Sequence, residues 1–160
     1  MKYGICIFSL CFAAALSARQ DRAYSFEQFR APVTFHGIPA RPKLATRWER
    51  TFRTVIREGA REPVNFAGHF RIVTWGCGAA CESFVIVDEL NGQIVDPPFR
   101  AISMLDGNLK DIFTGLDYKA NSSLLIASGC PGEKECGTRY YQWNGAELIP
   151  LHTDPGLPKP

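Results

Sequence analysis

The chain lacks most of the features that announce a function outright. Beyond its N-terminal residues it has no apolar run long enough to cross a membrane as a helix, which excludes a polytopic membrane protein. It has no strong charge excess: 18 basic against 16 acidic residues give a formal net charge of +2, too little for a whole-molecule case for nucleic-acid binding. It has no C-x-x-C pair, so neither zinc-ribbon knuckles nor a thioredoxin-type redox motif is present. Five of its aspartates, Asp88, Asp96, Asp106, Asp111 and Asp117, show no calcium-loop spacing, and "DGNLKD" has nothing else of an EF-hand. Its three histidines, His36, His69 and His152, stand alone in sequence, and no internal repeat is visible. No metal or cofactor site is expected.

What is present begins with an export signal. "MKYGICIFSLCFAAALSA" (residues 1–18) has a charged Lys2, an apolar run from Ile5 to Leu16 and small residues at Ser17 and Ala18, the layout of a signal peptide cleaved after Ala18. Leu10 is a poor residue to precede a lipidated cysteine at Cys11, so a secreted or periplasmic chain is expected rather than a lipoprotein. Losing Lys2 leaves 17 basic and 16 acidic residues, and the charge is unevenly spread. Arg19 to Trp75 carries 11 basic and 5 acidic residues, whereas Gly76 to Pro160 carries 6 and 11. Such asymmetry marks either a binding face or halves that attract one another within one fold, and the second is expected.

The hydrophobic pattern changes period along the chain. Residues 19–43 are expected to be irregular, with Pro32, Pro39 and Pro42 and no sustained repeat. Leu44, Trp48, Phe52, Val55 and Ile56 then recur at helical spacing up to Glu58, with Gly59 as a stop. After Pro63 the period becomes that of strands. "NFAGHFRIVTWG" alternates, "SFVIVDEL" is an apolar β-branched run, and Asn91-Gly92 and Asn144-Gly145 are hairpin signals. The expected fold class is α+β: one N-terminal amphipathic helix packed on an antiparallel β-meander of about five to seven strands, stabilised by disulfides. One domain over 44–152 and a flexible tail over 153–160 complete the layout.

Four cysteines remain after the signal: Cys77, Cys81, Cys130 and Cys136. An even count in an exported domain favours disulfides, and the short Gly-containing loops favour Cys77–Cys81 with Cys130–Cys136; the crossed pairings stay open. "NFAGHFRIVTWGCGAACESFVIVDELNGQIVDPP" resembles a group of small exported, uncharacterised bacterial proteins. They share Phe-x-Gly-x-(Tyr/Phe), Trp-Gly-Cys-Gly-x-x-Cys and a following Val-Asp hairpin. The resemblance covers residues 65–98, and it implies export and a β-rich domain but no activity. A second, superficial likeness links "CESFV" to the cysteine motif of NlpC/P60 cell-wall peptidases. It would make Cys81 a nucleophile with His69 or His152 as its base. Against it, Phe84 to Val87 read as strand, without the helix N-terminus that would lower a thiol pKa, and Cys77 is an obvious partner.

Two surfaces remain as candidates for partner binding. On a helical wheel Arg47, Arg50, Arg53, Arg57 and Arg61 share a face opposite Trp48, Phe52 and Ile56, with Glu49 placed to pair with Arg53. Five guanidiniums present planar donors to carboxylates or phosphates. Gly76 and Gly78 leave either an anion nest or a tight disulfide loop. The functional expectation is a secreted or periplasmic, non-catalytic binding protein, in its most concrete form an inhibitor or immunity-like partner of an extracytoplasmic protein. Its partner is a protein or an anionic ligand, with nucleic acid disfavoured. The rivals are a cell-envelope hydrolase built on Cys81 and a structural envelope protein.

Overall fold

A computed structural model describes residues 24–105 and 113–156. The leader at 1–18, Asp106, Asp111 and residues 157–160 of the expected tail lie outside them.

The apolar β-branched segments build an antiparallel sheet of eight strands: β1 Phe70–Gly78, β2 Cys81–Asp88, β3 Ile94–Val95, β4 Ala101–Ser103, β5 Gly115–Tyr118, β6 Leu124–Pro131, β7 Gly137–Trp143 and β8 Leu148–Pro155. The main path is β1-β2-β4-β6-β7-β8, with β3 beside β2 and β5 beside β6. This corrects the expectation of one helix on a simple meander. Pro97 and Pro98 cannot continue a ladder, so the strand returning along β2 stops after Val95, detours and resumes at Ala101. β2 therefore pairs with β3 along its C-terminal half and with β4 along its N-terminal half. β6 is shared in the same way between β4 and β5. The expected tail is also partly strand, because β8 runs to Pro155 and Gly156 N donates to Cys136 O at 2.9 Å.

β2 and β6 are continuous apolar runs because both of their faces are covered. Phe84 and Ile86 of β2 and Leu125 and Ala127 of β6 point into one core with Phe66, Phe70, Ile72, Tyr141 and Trp143. Phe70 and Trp143 meet edge to face there, with centroids 5.0 Å apart. On the outer side Val85 and Val87 pack with Ile56, Ala60 and Val73 under the helices, whereas Leu124 and Ile126 pack with Tyr24, Phe26 and Phe29. The irregular N-terminal segment is thus an outer layer. Buried Ser122 fixes it: its Oγ lies 3.1 and 3.0 Å from the carbonyls of Phe26 and Phe29 and accepts from Leu124 N. Each large side chain so buried contributes roughly 1.5–3 kcal/mol.

The expected helix is two. α1 is Arg47–Thr51 and α2 is Arg53–Gly59, separated at Phe52 with φ −97° and ψ 19°. Thr51, Phe52, Thr54, Val55 and Ile56 are mediocre helix formers, so local propensity offers little resistance to a break. Packing decides it, because the Phe52 ring meets Trp48 edge-on at 5.2 Å and lies tilted against Trp75 at 5.0 Å. Glu49 does not pair with Arg53. It completes a capping box with Thr46, accepting from the Thr46 and Ala45 amides, and is only 3 % exposed.

Candidate functional site

The two disulfides join Cys77 to Cys81 and Cys130 to Cys136. Two such bridges are compatible with an oxidising compartment. Cys77–Cys81 clips the β1–β2 hairpin at its exposed tip, where Ala79 and Ala80 make the turn. Gly76 and Gly78 are strand residues of β1, in register with Glu82 and Cys81. Their backbone is ladder, not the alternating helical conformation of an anion nest. Gly78 has φ +151°, which suits glycine at the bulge beside Cys77.

The cysteine–histidine arrangement is not assembled. Cys81 begins a strand and its sulfur is held by Cys77. His152 sits on β8, with β4, β6 and β7 lying between it and β2, and its Nε2 is 3.0 Å from Asp154 Oδ1. His69 lies at the opposite end of the β1–β2 ladder from Cys81, its Nε2 3.9 Å from Asp88 Oδ1. Among the described residues no cluster of histidine, cysteine and carboxylate side chains could hold a metal ion, and no helix is long and apolar enough to cross a membrane.

The arginines fall into two groups, because Arg57 and Arg61 line a cleft and Arg47, Arg50 and Arg53 do not. Arg50 Nη1 donates to Ala45 O at 2.6 Å, and Arg53 Nη1 reaches Arg50 O at 3.3 Å. Arg47 is exposed on α1. This first group adjoins the disulfide hairpin, because Trp48 stacks on Trp75 at 5.4 Å and Trp75 immediately precedes Gly76. Arg100, paired with Asp96 at 3.2 Å, lies 4.9 Å above the Trp48 ring.

Arg57 and Arg61 form the second group, with a residue that sequence reasoning missed. Residues 34–43 make an extended strap across the opposite end of the helices. Main-chain bonds pin it: Thr34 N to Gly68 O at 3.0 Å, Ala40 N to Glu89 O at 2.9 Å and Lys43 N to Gly92 O at 2.7 Å. Between strap and α2 lies a cleft of about 560 Å³, lined by Ile38, Pro39, Ala40, Arg41, Pro42, Arg57, Ala60 and Arg61. Its three charged residues are all arginines, and among the described residues none of the three has a counter-ion. Among the described residues Arg57 Nε is shut off from solvent without a hydrogen-bond partner. The prolines of "IPARP" were the available signal, since an extended, restrained segment beside a basic helix end is what they encode.

Beneath this end of the molecule lie two charged side chains. Arg71 donates to the carbonyls of Gly59 and Pro63, satisfying groups at and just beyond the end of α2. Glu89 is 1 % exposed, and its Oε1 has no partner. Burial raises its carboxyl above the ordinary range, while the Arg71 guanidinium pulls it part of the way back. The charge imbalance noted in the sequence is met only in part across the two halves: among the described residues Arg71 attracts Glu89 and His69 lies 3.9 Å from Asp88, whereas the Arg30–Glu27, Arg100–Asp96 and His152–Asp154 contacts stay within one half.

No protein-family model, curated protein or solved structure matches this chain.

Proposed function

We infer that the protein is an extracytoplasmic, non-catalytic binding protein whose anionic partner seats on the cleft between the strap and α2, as an inhibitor or immunity-like protein would hold its target. The observation that carries this reading is the set of three arginines, Arg41, Arg57 and Arg61, around one cleft without a counter-ion among the described residues. A guanidinium offers a planar fork of donors that matches carboxylate or phosphate oxygens, and an unpaired donor shielded from water gains most when an anion reaches it. The disulfide-locked Cys81 supports binding over cysteine catalysis. The test is retention of an envelope extract on the immobilised oxidised chain, with Arg57 and Arg61 both changed to Gln. Retention of the specific partner should fall, and its salt dependence should flatten, because exposed charge pairs are screened over about 8–10 Å at moderate ionic strength. Unchanged retention and unchanged salt dependence would refute the cleft as the site.

A further inference from the structure

The strap carries an apolar side chain where folding gives it no reason to be. Ile38 is 94 % exposed, the most exposed of the large hydrophobic residues among those described. It is not on a loose loop. Main-chain bonds fix the strap before it at Thr34 and after it at Ala40 and Lys43, and Pro39 restricts Ile38 itself to extended backbone. A β-branched side chain on such backbone has few rotamers to lose, so little ordering entropy would oppose its burial by another molecule. The bond from Ala40 N to Glu89 O brings the turn at Leu90, itself 56 % exposed, beside the strap. Ile38 also lines the arginine cleft. One face thus combines two exposed aliphatic side chains, a concavity and three guanidiniums.

We propose that Ile38 is the central anchor of a protein–protein contact, with Leu90 beside it. The partner is a folded protein that presents an apolar pocket rimmed by carboxylates. This rests on the cleft reading and adds its apolar centre and the class of its occupant. The charge of the cleft selects an acidic rim, and a projecting aliphatic side chain framed by charge has the layout of an interface anchor within a polar surround. A lipid surface fits less well. Interfacial segments lay a stripe of apolar residues on a plane, whereas the apolar residues of α2, Val55 and Ile56, face the sheet and the exposed aliphatics sit on a strap beside a hollow.

The experiment compares the oxidised chain with Ile38→Ser, with Arg57→Gln/Arg61→Gln and with Ile149→Ser, a change at a partly exposed aliphatic on β8 at the far edge of the sheet. Each is immobilised and exposed to the envelope extract of the producing cells. Proteins retained by the wild type are purified, and their dissociation constants are measured against every variant. Vesicles of phosphatidylcholine doped with phosphatidylglycerol serve as the lipid probe. The expected result is a purified protein that binds the wild type with one-to-one stoichiometry and more weakly as salt rises. Its affinity should fall roughly ten- to a hundredfold with Ile38→Ser, the loss expected for an unburied isoleucine, and stay unchanged with Ile149→Ser. The proposal is overturned if nothing is retained above the Ile38→Ser background, if affinity for Ile38→Ser stays within about threefold of wild type, or if vesicles bind with the same dependence on Ile38. Loss of affinity in the arginine variant alone sinks the anchor and leaves the cleft reading standing. Loss with Ile38→Ser alone removes the acidic rim and the cleft reading with it.

Discussion

The strap is held by close backbone approach, and a pair of glycines allows that contact to be measured. Gly92 and Gly145 each follow an asparagine in a four-residue hairpin loop, and each has positive φ, +77° and +100°. They differ in what surrounds them. A Cβ on Gly145 would meet nothing within 4 Å, whereas a Cβ on Gly92 would overlap the carbonyl of Arg41 in the strap. Gly145→Ala should therefore lose only the conformational term for a left-handed alanine, about 1–2 kcal/mol. Gly92→Ala loses the same term and must also push the strap away. That weakens the Lys43–Gly92 and Ala40–Glu89 bonds, each worth about 0.5–1.5 kcal/mol, so its total should be about 2–5 kcal/mol. Urea titration of the oxidised chain reads both values. With a slope of about 2 kcal/mol/M the midpoint should move by roughly 0.5–1 M for Gly145→Ala and by roughly 1–2.5 M for Gly92→Ala. Hydrogen exchange at the Ala40 and Lys43 amides should speed up in the second variant alone. Equal losses in the two variants, or unchanged exchange at those amides, would refute the claim that the strap is clamped on the turn at Gly92.

Two further outcomes follow from the geometry. Burial raises the Glu89 carboxyl above the ordinary glutamate range, against the opposing pull of the Arg71 guanidinium. The native state therefore holds the proton more tightly than the unfolded chain, and the favourable contribution present below about pH 4.5 is lost as pH rises through the folded value. Glu89→Gln removes that loss, so the stability difference between variant and wild type should move in the variant's favour between pH 4.5 and 7. A flat difference curve, or one of opposite sign, would show that the buried carboxyl is already compensated. Cys77→Ser and Cys81→Ser break the same cross-link and should each lose about 2–3 kcal/mol in urea titrations, with equal effects on partner retention. Abolition of function by Cys81→Ser alone would restore the nucleophile reading.

Much of the sheet was readable because its signals are local. Phe84 to Val87 and Leu124 to Ala127 are short apolar runs bounded by turn signals, a strand pattern, and the short cysteine loops mark hairpin and strand connections that the bridges close. The break at Phe52 was not readable. Leu44, Trp48, Phe52 and Ile56 show the same spacing whether the helix is one piece or two, and the ring that decides the matter, Trp75, lies on another element. The detour between β3 and β4 was half readable. Pro97 and Pro98 announce a stop, but nothing local says that Ala101–Ser103 rejoins β2 and also receives β6. The strap was missed for a similar reason. Its restraints are main-chain bonds to Gly68, Glu89 and Gly92, far along the chain, and main-chain bonds leave no trace in side-chain composition.

The uneven charge of the chain bears on how a partner would be recognised. The described acids of the basic half are spent locally or do not line the cleft: Glu27 pairs with Arg30 and Glu49 is turned into the helix cap, while Glu58 and Glu62 are absent from its lining. In the other half Asp96 pairs with Arg100 and Asp154 with His152, while Asp88 lies by His69 and Glu89 feels Arg71. The field of Arg41, Arg57 and Arg61 is thus not neutralised by an ion pair among the described residues. At physiological ionic strength it decays over about 8 Å, short against the span of a domain, so it guides a partner only in the final approach. A cleft working through charge alone would accept many anions, because screened attraction carries little shape information. On the proposed reading selectivity would come from contact, and the exposed Ile38 and Leu90 would supply it by requiring a pocket to receive them.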